Sequence, residues 1–319
     1  MLVLAACGSR TGLPIDDESL SANDPDGSKD GSHDGTFDPD AGDEDALPGL
    51  DVQPNPDVVR TDCPDAEATL IYVVADNNNL YSFFPTAGTF TLIGKLACPA
   101  HPAPGISDPA PFSMAVDRKG KAFVVFNTGE LFQVSTATAA CASTGYQVDQ
   151  GGFRTFGMGF STDFLGPTET LFIAGDGTMG GASGLGSINT QTFKLSVLGA
   201  FNPPIQRGEL TGSGDGRLFS FYTKDPTDPQ GNPVPAFIGE IDKTNGRVVA
   251  ESALPFPQVS QGQGWAFGFW GGDFYTFTAP AGAGTLVQRY RPSDGKVTDI
   301  ANTNDVIVGA GVSTCAPQQ

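Results

Sequence analysis

A chain of 319 residues is long enough for one large domain or two ordinary ones, and its 42 Gly and 25 Pro disfavour long helices and favour short strands joined by turns. The formal charge of -19 opposes the phosphate neutralisation on which nucleic-acid binding rests, so nucleic acid is excluded as a partner. Only two histidines occur, His33 and His101, which leaves no imidazole pair for a folded site and sets zinc hydrolysis aside.

The chain opens Met-Leu-Val-Leu-Ala-Ala-Cys, and Leu4-Ala5-Ala6-Cys7 resembles a bacterial lipobox, in which the cysteine is lipidated and becomes the new N-terminus. A signal needs an apolar stretch longer than the six residues before Cys7, so Met1 is expected to lie inside the signal, with 1–7 its remnant. Residues 8–62 carry fifteen acidic side chains against Arg10, Lys29 and Arg60. With one aromatic, Phe37, and no apolar periodicity, the segment reads as a disordered, self-repelling spacer. Its coil span is on the order of 40 Å, enough to lift a domain off a lipid bilayer to which Cys7 is anchored. Asp24-Pro-Asp26-Gly27 and Asp30-Gly31 echo calcium loops, but Lys29 interrupts them and no Glu stands where a bidentate ligand belongs.

From Cys63 onward a repeat appears. Leu80-Tyr-Ser-Phe-Phe-Pro-Thr-Ala-Gly88 is followed by related segments opening at Leu131, Leu185, Ile238 and Val287, spaced 51, 54, 53 and 49 residues apart. Each later copy is preceded by two further strand candidates, such as Phe112-Ser-Met-Ala-Val-Asp117 and Ala122-Phe-Val-Val-Phe126. Four strands per roughly 50 residues describe a propeller blade. The Gly-rich first strands, among them Phe156-Gly-Met-Gly-Phe160, suit a crowded axis where backbones meet. The first copy lacks its innermost strand, and Ile307-Val-Gly-Ala-Gly-Val-Ser313 has the look of a first strand with no blade after it. The expectation is an all-β, five-bladed propeller over 63–317, closed by strands from both ends; a β-sandwich is the competing fold.

Cys63, Cys98, Cys141 and Cys315 allow three disulfide connectivities. The closed blade selects one. Cys315 follows its inner strand and Cys63 precedes the next, so these two pair, and Cys98–Cys141 follows by elimination.

The unit at Leu80 to Gly88, with its counterpart Ile238 to Gly246, resembles the blades of secreted bacterial propellers of the NHL and quinoprotein-like kind. Taken with the lipobox, the acidic arm and the ending Gly309-Ala-Gly-Val-Ser-Thr-Cys-Ala-Pro317, the chain resembles myxobacterial outer-membrane lipoproteins. The resemblance implies a lipid-anchored outer-membrane protein facing periplasm or exterior, Gly8 rather than Asp after Cys7 favouring export. It carries no activity.

Catalytic candidates are few. His101 sits in the proline-rich connector Cys98-Pro-Ala-His-Pro-Ala-Pro104, and the Gly-rich run from Gly175 to Gly186 lies between strands, without the helix N-terminus of a phosphate cradle. Aligning the inner strands brings Arg154, Arg207, Glu209 and Trp265 toward one face, where two guanidiniums, a carboxylate and an indole suit a sugar or an acidic peptide. The plainer roles are an Arg207–Glu209 surface pair and a packing tryptophan. The leading expectation is a tethered binder of an envelope component, glycan or peptide, with neither catalysis nor a cofactor. The alternative is a calcium-dependent hydrolase or lactonase using axial carboxylates from Asp117, Asp163, Glu209 and Asp215, although Asp117 and Asp215 precede turn glycines, where a carboxylate bonds its own backbone. A purely structural envelope protein is the third reading.

Overall fold

A computed structural model describes residues 47–54, 63, 69–163, 167–177, 181–205, 207–224, 235–257 and 264–319. All belong to one compact unit, Leu47–Gln319. Cys7, the Asp24 to Gly31 run and His33 lie outside the described residues.

Five four-stranded antiparallel sheets follow one another along the chain. The first contains β1 (Ile71–Ala75), β2 (Asn79–Phe84) and β3 (Thr89–Lys95); the second β4 (Pro111–Val116), β5 (Lys121–Phe126), β6 (Leu131–Ser135) and β7 (Cys141–Ser143). The third is β8 (Phe156–Thr162), β9 (Glu169–Gly175), β10 (Gly184–Ile188) and β11 (Leu195–Gly199). The fourth is β12 (Gly208–Gly212), β13 (Leu218–Thr223), β14 (Pro235–Ile241) and β15 (Val248–Pro257), and the fifth β16 (Gly264–Trp270), β17 (Asp273–Ala279), β18 (Thr285–Arg291) and β19 (Lys296–Thr303). The last strand, β20 (Ile307–Val312), returns to the first sheet, whose order is β20-β1-β2-β3. This is a five-bladed β-propeller closed by strands from both ends of the domain, with Val73 opposite Ala310 in the joining ladder. All five repeat openers fall in the third strand of a blade, where each copy makes the same hairpin approach.

The inner strands are buried almost along their whole length because blades cover both of their faces, whereas the outer strands β3, β7, β11 and β19 keep exposed positions. Along β13, Phe219 and Phe221 point to the fifth blade, while Leu218 and Tyr222 point to the third. Five hydrophobic clusters result, one at each blade-to-blade interface. Between blades four and five it is rich in aromatic rings, Phe219 and Phe274 meeting edge-to-face at 5.0 Å.

At the axis the inner strands touch backbone to backbone. A Cβ on Gly157 would sit 2.1 Å from the Gly208 carbonyl oxygen, and one on Gly309 would sit 2.7 Å from the Met114 nitrogen. No side chain fits between strands packed that closely. Gly157→Ala is therefore expected to force β8 and β12 apart and cost about 3 kcal/mol in denaturant unfolding. A change below about 1 kcal/mol would mean the inner strands relax freely.

Both disulfides are present, Cys63–Cys315 with Cα atoms 5.3 Å apart and Cys98–Cys141 with 5.0 Å. The first pins the closing blade. The second ties the segment leaving β3 to β7.

Both ends of the domain make contacts outside the repeated strands. The spacer expected over 8–62 does not run unbroken to the first strand, because residues 47–54 lie against blade four. The Glu251 N–H donates to the Pro48 carbonyl at 2.9 Å, the Leu50 N–H to Ser252 Oγ at 3.3 Å, and Arg217 reaches the Asp51 carbonyl. Leu50 and Val52, two residues apart on one side of an extended stretch, are buried in the cluster between blades four and five. Two apolar residues in an acidic string are too few for a period, yet enough to cover a seam. At the other end the tail is held against blade five, the Gly271 N–H donating to the Pro317 carbonyl at 2.7 Å.

Candidate functional site

The five inner strands run in the same direction along the axis. We call the face where they begin the upper face and the one where they end the lower face.

The lower face is sealed by residues 313–319. Thr314 Oγ1 donates to Glu169 Oε2 at 2.8 Å and accepts from Arg118 Nε at 2.9 Å, tying the closing blade to blades three and two. The Arg118 guanidinium also donates to Thr162 Oγ1 and to the Pro167 carbonyl, each at 2.7 Å. With its amide oriented oxygen-first, Gln318 accepts from the Gly214 and Asp215 N–H groups at 2.7 and 2.8 Å, reaching blade four, and Pro317 reaches blade five through Gly271. One short segment thus contacts every blade. Burial pushes the Glu169 carboxyl up to about 7, against the opposing hydrogen bonds from the Arg118 N–H and Thr314.

At the upper face the central group is Glu209 on β12, 3% exposed. Ser113 Oγ on β4 donates to Glu209 Oε2 at 2.6 Å, and the Met158 N–H on β8 donates to Ser113 Oγ at 3.1 Å. One serine hydroxyl therefore joins the inner strands of blades two, three and four, and its bond to Glu209 skips a blade. Arg207 lies just before β12 with its guanidinium 5.4 Å from the centre of the Phe112 ring, a cation–π distance. Burial drives the Glu209 carboxyl up to about 8; the Ser113 hydrogen bond and the Arg207 charge oppose this, while the buried Asp176 adds to it.

Of the four residues singled out from sequence, the structure brings Arg207 and Glu209 together. Arg154, just before β8, stands one blade over on the same face, its side chain 62% exposed and its Nε 3.8 Å from Asp149 Oδ1. It borders a cleft of about 220 Å³. Trp265 is 1% exposed, stacked on Phe221 with ring centres 3.9 Å apart, and its Nε1 donates to the Phe221 carbonyl at 3.1 Å. Its place is in the seam between blades four and five, where it presents no face to a ligand. Ser113, Phe112 and Asp176 were not singled out, and no spacing marks them: a lone serine in an apolar strand looks like any other.

The four carboxylates of the calcium-dependent reading do not converge. Asp117 Oδ1 accepts from the N–H groups of Lys119 and Lys121 at 2.9 and 2.8 Å, Asp163 Oδ1 accepts from Thr170 at 2.7 Å, and Asp215 is bonded by the Ser213 hydroxyl. These three follow the ends of inner strands, whereas Glu209 lies near the start of one. Among the described residues, no three Asp, Glu, His or Cys side chains group as metal ligands. His101, in its connector, has Nδ1 2.8 Å from Glu130 Oε1.

No family model matches the chain, and no curated protein matches it in sequence. Among solved structures it is similar to a chain of a nidogen/laminin complex, at 9% identity and a TM-score of 0.48 over 78% of this chain and 100% of that one. It is similar to TolB from Acinetobacter baumannii at 13% identity and a TM-score of 0.41, over 76% of this chain and 55% of that one. Virginiamycin B lyase from Staphylococcus aureus aligns at 15% identity and a TM-score of 0.36, over 74% of this chain and 70% of that one. The five-bladed architecture rests on the sheet order itself.

Proposed function

We propose that this chain is a tethered binding module: lipidated at Cys7, held at the outer membrane, and engaging an envelope component, glycan or peptide through the upper face of its propeller without catalysis. The observation that carries the reading is the asymmetry of the two faces. Residues 313–319 occupy the lower one and contact all five blades, while the upper one keeps Arg207 over Phe112 and a cleft beside the exposed Arg154. An arginine over an aromatic ring, set at a closed axis, offers charge and an apolar face side by side, which suits acidic sugars and peptides. Glu209 and Ser113 are enclosed beneath, so they shape the floor of the mouth rather than touch a ligand.

Thermal unfolding of the full-length oxidised protein against a panel of glycans and cell-wall peptides tests this. A ligand of the folded state is expected to add about 2.7 kcal/mol at a hundredfold excess over its dissociation constant. Arg207→Ala should abolish that shift. A rise with calcium that EDTA reverses would instead support the metal-dependent hydrolase, and silence across the panel would leave a structural role.

A further inference from the structure

The cleft between blades two and three is a made pocket with unspent chemistry. Its apolar wall is Ala103, Pro104, Ile106 and Val148, and its charged rim is Asp149 and Arg154. Val148 is 50% exposed, an apolar surface that the fold leaves uncovered. The wall is fixed from several directions. Ala103 and Ile106 exchange backbone hydrogen bonds at 3.0 and 2.8 Å, and the segment carrying them leaves Cys98, which is bridged to Cys141. Glu130 takes the His101 N–H at 2.8 Å and the Thr128 hydroxyl at 3.0 Å. The amide of Asn127 is committed to Ala110 and Asp108. The polar groups behind the pocket thus hold its shape, and the two charges on its rim face each other and the open cleft.

Those two charges are poised side by side. Arg154 Nε and Asp149 Oδ1 are 3.8 Å apart, near enough to attract and too far for a hydrogen bond, with side chains 62% and 52% exposed. Asp149 holds a left-handed backbone, φ 63°, ahead of the 3-10 turn Gln150–Gly152, and its carboxylate does not cap that turn.

We infer that this pocket binds a small aliphatic α-amino acid as its zwitterion, Arg154 taking the carboxylate, Asp149 the ammonium, and Ile106, Pro104 and Val148 the side chain. A neutral sugar would bring no charge of its own to either group. An anion alone would meet the repulsion of Asp149. A cleft of about 220 Å³ has room for a single residue of this size and little more. The inference rests on the reading that the upper face binds, and it names the chemical class taken at one part of that face.

The test is calorimetric titration of the full-length oxidised protein with leucine, N-acetyl-leucine, which lacks the ammonium, and leucinamide, which lacks the carboxylate. Leucine is expected to bind with a dissociation constant of about a millimolar. Each blocked form, and each of the variants Arg154→Gln and Asp149→Asn, should weaken it by about tenfold. Both side chains are exposed and Asn tolerates the left-handed backbone, so these variants should fold. Leucine binding that survives both substitutions overturns the assignment, as does N-acetyl-leucine binding as tightly as leucine. If no amino acid binds while the glycan and peptide panel still yields an Arg207-dependent shift, the pocket's assignment falls and the face keeps its role; silence in both removes both.

Discussion

Replacing Cys63 and Cys315 together by serine is expected to lower the unfolding free energy by about 5 kcal/mol, more than any other substitution considered for this chain. The two cysteines are 252 residues apart, so the bridge closes nearly the whole domain into one loop and removes that much freedom from the unfolded chain. It also acts where the fold is most exposed to failure. Blade one is built from both ends of the domain, joined otherwise by the antiparallel ladder of β1 with β20 and by the hydrogen bonds of Asn77, Asn79 and Tyr81 to Asp305. If that ladder opens, the clusters on either side of the blade, around Ile71 and around Val74, lose a wall. The same substitution at Cys98 and Cys141, which close a loop of 43 residues, is expected to cost about 4 kcal/mol and to leave the closing blade intact. Denaturant unfolding of both double variants, with the other bridge kept oxidised, checks the order. A Cys63/Cys315 variant within about 1 kcal/mol of wild type would show that the strand ladder and inter-blade packing carry the closure alone.

The parts of this architecture that were legible in the sequence are those dictated by backbone geometry. Gly157 and Gly309 sit where inner strands press together, and that requirement recurs blade after blade, so the glycine pattern repeats with it. The bridge from Cys63 to Cys315 follows from the same closure. The site was less legible because its parts are joined by tertiary contact alone. Thr314 meets Glu169 from 145 residues away, and Ser113 meets Glu209 from 96. Nothing near any of them in the chain announces the partner. Trp265 shows the converse. An indole at the start of an inner strand looks like a binding platform until the Phe221 ring is seen to lie flat against it. Leu50 and Val52 went unnoticed for a third reason: two apolar residues in an acidic string make no pattern, although a seam between blades needs no more than two.

Glu209 should make the stability of the domain fall as the pH rises, opposite to the behaviour of a carboxylate held in a surface ion pair. Its folded-state pKa stands near 8 against an ordinary 4.5, burial being the chief cause. The native state therefore holds this proton more tightly than the unfolded chain does. The stability that the protonated form contributes is complete below about pH 4.5 and is lost as the pH climbs through 8, a loss on the order of 5 kcal/mol. Glu169, raised to about 7, adds a loss of the same sign between pH 4.5 and 7. At lower pH the sign reverses. Asp305, bonded by Tyr81, Asn79 and Asn77, and Glu130, bonded by His101, have folded pKa values held below the ordinary range, and their contribution disappears as acid protonates them. Stability should accordingly peak near pH 5 and decline on both sides. Glu209→Gln keeps an acceptor for the Ser113 hydroxyl and carries no charge at any pH, so it should make the alkaline limb shallower, leaving the share of Glu169, and leave the acid limb unchanged. Chemical denaturation of wild type and variant from pH 4 to 9 reads both limbs. An alkaline limb as steep in the variant as in wild type would mean that Glu209 is ionised beneath the mouth at neutral pH, with its charge answered by Arg207. The upper face would then present one cation fewer to any acidic ligand.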